Sequence, residues 1–196
     1  MTPKRNGATQ YRSNCGPVAM YNAFSYISYC NAKPLHRQND ECALEVYTYL
    51  CFVLQLHDHE IGVTKASLTR ALWDIYGYHP ILDSASPCPG RMATILQKYV
   101  LIIDVCSDDF PHGHLLCVMA CGKHCMVINY HASSESISMS CEKLCDLLKT
   151  SSDVSVWHLP LRDGQPCSDL LQRAQKWRAS IPSSEMTYLI QLWMTY

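Results

Sequence analysis

Residues 14 to 20, Asn-Cys-Gly-Pro-Val-Ala-Met, lead straight into an apolar run with helical spacing, so Cys15 is expected at the first turn of a helix. The opening N–H groups of a helix lack internal partners and carry the positive end of its dipole, which stabilises a thiolate there. Asn14 suits the N-cap, and Pro17 is tolerated in the first turn. Gly16 leaves room for a substrate backbone beside the sulfur. A buried thiol in an ordinary capped helix would have the same local pattern, so the chemistry depends on a second residue.

A thiol nucleophile needs a base. Gly122-Lys123-His124-Cys125-Met126-Val127-Ile128 is a glycine turn, a histidine and then a β-prone run, which puts His124 at the mouth of a strand. A histidine held there is rigid yet accessible, as proton transfer to and from sulfur requires. Of the nine histidines, His114 in Gly113-His114-Leu115-Leu116 shares the pattern and is the main competitor. His124 is preferred because residues 114–120 look like the preceding strand of a hairpin whose second strand starts at His124.

Gln10, then Asn14-Cys15-Gly16-Pro17 opening a helix, and Gly122-x-His124 leading a Val/Ile strand together resemble the papain-like cysteine peptidases, and among them the bacteriocin-leader-processing group. The stretch Gly62-Val63-Thr64-Lys65-Ala66-Ser67-Leu68, followed by Ala71, Leu72 and Tyr76-Gly77, resembles the Gly-x-Thr helix start of such domains. The resemblance runs from about Gln10 to Ser140. It implies an α+β, papain-like fold, with an N-terminal helical half carrying the nucleophile and a C-terminal antiparallel sheet carrying the histidine. It also implies a cysteine protease that cleaves a peptide or isopeptide bond of a polypeptide substrate through a Cys15–His124 dyad, with Gln10 donating to the oxyanion hole beside the Cys15 N–H. A third residue, Asp or Asn, normally follows the histidine by about one strand, a turn and part of the next strand. Counted from His124 this reaches Ile137 to Ser140, where Ser140 is the available acceptor; Asn129 is an amide but comes early, on the opposite strand face from His124. The same dyad serves glutamine deamidation and transglutamination, and an inactive domain retained for binding would carry the same fold.

Composition agrees with a globular chain. The 196 residues are 48% hydrophobic and 17% charged, with a formal net charge of −1, and no basic stripe interleaved with aromatics argues for nucleic acid. No stretch approaches a membrane span and no apolar leader opens the sequence, so a cytoplasmic location is expected. The twelve cysteines are irregularly spaced and form no Cys-x-x-Cys pair, so reduced thiols, no bound metal and no cofactor are expected, although Cys117, Cys121 and Cys125, and Cys141 and Cys145, recur at four-residue intervals.

The positioning elements follow from periodicity. Helices are expected over about 15–29, 40–56, 64–76 and a short stretch after Pro87-Cys88-Pro89-Gly90. Strands are expected at 100–105, 114–120, 125–130, 136–140 and 154–159, with a helix at 141–149. Residues 1–160 would form the catalytic domain, and 161–196 a helical extension packed on it through stripes such as Met186, Leu189, Ile190 and Trp193.

Overall fold

A computed structural model of the chain describes residues 11–31, 40–54, 63–76, 81–83, 88–108, 110–129, 136–161 and 165–194. The described elements are seven helices and six strands. These are α1 (Tyr11–Cys30), α2 (Asp40–Val53), α3 (Lys65–Tyr76), β1 (Ile81–Asp83), α4 (Pro89–Leu96), β2 (Tyr99–Ser107) and β3 (Phe110–Cys121). They continue as β4 (His124–Ile128), β5 (Ile137–Met139), α5 (Cys141–Thr150), β6 (Asp153–Pro160), α6 (Gln165–Ser180) and α7 (Ser183–Met194). The strands form one antiparallel sheet in the order β1-β6-β2-β3-β4-β5. The fold is a mixture of helices and antiparallel sheet, as expected.

Both faces of this sheet are covered, which explains why β2 and β3 read as near-continuous apolar runs. Val100 and Ile102 of β2 join Leu115, Cys117 and Met119 of β3 in a core shared with α1, α2, α3 and α6. The alternate residues Leu101, Ile103 and Val105, with Leu116 and Val118, join Met92 and Leu96 of α4 and Leu144, Cys145 and Leu148 of α5. The expected sequence of a helical half and then a sheet half therefore gives way to three layers, with α4 and α5 behind the sheet. β1 was not anticipated. It is three residues long and pairs with β6 at the sheet edge, too short for any periodicity to reveal.

α1 is the central helix. Val18, Ala19, Met20, Tyr21, Ala23, Phe24 and Ile27 are all buried, because the sheet lies on one side of it and α2 and α6 on others. α3 begins as the sequence suggests. The Thr64 hydroxyl accepts from the Ser67 N–H at 3.1 Å, and the Ser67 hydroxyl accepts from the Thr64 N–H at 3.0 Å, a reciprocal cap. Leu68, Ala71, Leu72 and Ile75 then form its buried stripe. Thr69, on the neighbouring face, accepts from the indole N–H of the fully buried Trp157 of β6 at 3.0 Å. α6 adds Leu170 and Ala174 to the core that contains α1.

Candidate functional site

Two hydrogen bonds fix how α1 lies on the sheet. Near its start, the Asn129 side-chain amide donates to the Leu115 carbonyl at 2.7 Å and lies 3.5 Å from the Cys15 carbonyl. Near its end, the Tyr26 hydroxyl donates to the Ala120 carbonyl at 3.1 Å. α1 therefore runs alongside β3 in the same direction, and Cys15 meets the start of β3 rather than its end.

This geometry places His124 away from Cys15. His124 opposes Cys121 at the tip of the β3–β4 hairpin, exposed, at the Tyr26 end of α1. The rise from Cys15 to Tyr26 alone is roughly 16 Å along the helix axis. Ser140 belongs to the same far end, because Met139 pairs with Cys125, and its hydroxyl caps α5 by accepting from the Lys143 N–H at 3.2 Å. The structure brings neither His124 nor Ser140 to Cys15. Gln10 lies outside the described residues.

His114 and Asn129 take their place at the Cys15 end. His114 is 3% exposed, its ring stacks on Phe110 at 4.9 Å between centroids, and its Nε2 lies 2.5 Å from the Asn129 carbonyl oxygen. A carbonyl only accepts, so Nε2 carries the proton and, in the neutral ring, Nδ1 keeps its lone pair. Asn129 follows the last residue of β4 and is fully buried, with φ +73°, a left-handed conformation that asparagine adopts more readily than most residues. That turn points its amide back toward β3 and α1. Its Oδ1 is buried and has no hydrogen-bond partner among the described residues. As a partner of His124, Asn129 falls early in the sequence. Counted from His114 it follows one strand, a turn and the next strand, a spacing that was readable in the sequence.

Cys15 itself is 5% exposed and belongs to the core on the α1 side of the sheet. Strand alternation sets His114 on the other face with Leu116 and Val118, and Asn129 lies between the two residues at the sheet end, its carbonyl on the His114 ring and its amide beside the Cys15 carbonyl. α1 also starts earlier than expected. It begins at Tyr11, so Cys15 sits in the second turn with its N–H directed at the Tyr11 carbonyl, and Pro17 lies inside the helix. The sequence suggests a start at about Cys15, because Asn14 suits the N-cap and Pro17 the first turn. The missing Pro17 N–H leaves the Ser13 carbonyl without its intrahelical donor. Gly16 faces no open approach: a Cβ there would lie 2.5 Å from Val63 Cγ2 and 3.3 Å from Leu54 Cδ1. Its role is close packing of α1.

A carboxylate lies nearby. Asp104 of β2 pairs with Leu115, and its Oδ1 is 3.6 Å from where a Gly113 Cβ would stand. Burial raises its pKa above the ordinary 3.8, against the opposing pull of Lys65, which is itself paired with Asp153 at 2.6 Å. Deeper in the core, burial pushes the Cys51 and Cys117 thiols well above their ordinary range, as expected of unreactive sulfur. Among the described residues, no group of three or more His, Cys, Asp or Glu side chains is disposed to hold a metal ion, and no helix is long and apolar enough to cross a membrane.

No family model matches the chain, and no curated protein does. Among solved structures, the chain is similar to the peptidase domain of Streptococcus ComA, a bi-functional ABC transporter involved in a quorum-sensing pathway. The identity is 13%, the coverage 81% of this chain and 98% of that one, and the TM-score 0.45.

Proposed function

We propose that the protein is a papain-like thiol hydrolase acting on a peptide or isopeptide bond, with Cys15 as nucleophile, His114 as general acid and base, and Asn129 as the residue that orients the imidazole. The observation that carries this reading is the position of Asn129, whose main-chain carbonyl accepts from His114 while its amide reaches the Cys15 carbonyl. The bond at Nε2 leaves Nδ1 to take the thiol proton. Cys15 then attacks the substrate carbonyl, and His114 returns the proton to the leaving amine. Water, deprotonated by the same imidazole, releases the acyl group. Gln10, upstream of the nucleophile, would donate to the developing oxyanion. Deamidation or transglutamination of a glutamine side chain uses the same groups with a different acyl acceptor.

An electrophilic peptide probe tests the proposal. Labelling is expected at Cys15, abolished by His114→Ala and kept by His124→Ala. Labelling of Cys15 that survives His114→Ala would overturn the assignment.

The burial of Cys15 favours a second reading, an inactive domain of this architecture retained to bind a polypeptide. In that case Cys15 would label no faster than the exposed Cys30, Cys88 and Cys121.

A further inference from the structure

Four cysteines gather on the sheet face away from Cys15, drawn from separate parts of the chain. Cys125 of β4 opposes Met139 of β5, and its thiol donates to the Met139 carbonyl at 3.3 Å. Two residues beyond Met139 the chain leaves the sheet, and Cys141 is the first residue of α5. Residues 125 and 139 share one face, and Cys141, two residues further on, packs against the same cluster with its thiol neighbouring that of Cys125. Cys145, one turn further along α5, neighbours both Cys141 and the exposed Cys88 that precedes α4. All four are reduced, and the arrangement is not one that holds a metal ion.

We infer that Cys125 and Cys141 form a redox-active dithiol that hydrogen peroxide converts to a disulfide. Cys141 is half-exposed and Cys125 fully covered, so a small oxidant meets Cys141 first. The Cys141 sulfur attacks the peroxide, an S–O bond forms as the O–O bond breaks, and one water leaves. Cys125 gives up its proton and attacks the sulfenyl sulfur; the S–S bond forms, the S–O bond breaks, and a second water leaves. Two thiols and one peroxide thus yield one disulfide and two waters. Burial and the adjacent Cys141 and Cys145 push the Cys125 thiol up to about 12, so Cys125 is not the sulfur that meets the oxidant and its attack on the sulfenyl sulfur is the slower step. Cys141 and Cys145 are poorly placed to pair with each other, since residues a turn apart on one helix project side by side instead of converging. The closed loop includes Asn129, so the bridge would brace the segment that reaches the Cys15 end of the sheet.

The sequence makes the test direct, because no Lys or Arg lies between Lys123 and Lys143 and trypsin leaves both cysteines in one peptide, His124 to Lys143. The full chain is treated with hydrogen peroxide, alkylated, unfolded and digested. This peptide is expected two hydrogens lighter with neither cysteine alkylated, and dithiothreitol should restore both alkylation sites. The bridge closes a loop of about fifteen residues, so the oxidised protein should melt on the order of 5–10 °C higher. In Cys141→Ser, Cys125 should remain alkylatable only after unfolding and the shift in melting should vanish. Sulfinic acid at Cys141 without a bridge, a bridge from Cys141 to Cys88 or Cys145, or an unmodified peptide while Cys30, Cys88 and Cys121 are oxidised would each overturn the inference.

Discussion

Replacing Asn129 separates its two structural contributions. Asn129→Ala removes the amide that donates to the Leu115 carbonyl at 2.7 Å, leaving a buried acceptor unpartnered at a cost of about 1–3 kcal/mol. It also puts a residue with no local polar side chain at φ +73°, costing about 1 kcal/mol more. The sum, roughly 2–4 kcal/mol, should lower Tm by about 5–15 °C in a chain of this size. Asn129→Gly loses the same hydrogen bond but carries no left-handed penalty, so it should be more stable than the alanine variant by about 1 kcal/mol. Urea unfolding of the three proteins measures both differences, with unchanged slopes as the check that the unfolded states are comparable. A glycine variant less stable than the alanine variant would refute the backbone argument. Both variants within about 0.5 kcal/mol of the parent would refute the hydrogen bond as well.

Other expectations are as specific. His124→Ala, at an exposed hairpin tip, should change stability by less than about 0.5 kcal/mol by urea unfolding. Gly16→Ala should destabilise by about 1–3 kcal/mol through its clash with Val63, and Val63→Ala in the same chain should recover part of that loss, a coupling that a double-mutant cycle reads directly. Asp104 holds its proton more tightly when folded than when unfolded. Its contribution therefore favours folding below the ordinary value of 3.8 and is lost as pH rises through the shifted value. Asp104→Asn should accordingly gain stability over the parent near neutral pH and lose that advantage at about pH 3, measured by thermal unfolding across the range.

The reach of the sequence differed between fold and site for identifiable reasons. The strands around Val100–Val105, His114–Ala120 and Val154–Leu159 were legible because β-branched and apolar runs ended at turn residues, and the α3 start because Thr64 is a capping residue ahead of a helical stripe. What could not be read was which end of β3 faces Cys15. Both His114 and His124 precede apolar strands; the spacing to Asn129 is a sequence signal for His114, and the direction of α1 over the sheet, fixed by Asn129 at one end and Tyr26 at the other, sets the two histidines apart by the length of a strand. The extra helical turn at Tyr11 was hidden for a similar reason. A cap residue and a proline mark where a helix is able to begin, and the backbone continued past both. Gly16 reads as open space in sequence and as a packing contact in three dimensions, because Val63 reaches it from a distant segment.

Following the His114 ring with pH by NMR, before and after Cys15 is capped by methylthiolation, shows whether Cys15 and His114 act as one acid–base unit. If the thiolate and the ring interact, the His114 pKa should drop on capping, because the anion that held its proton is gone. An identical His114 titration in the free and capped protein would contradict it.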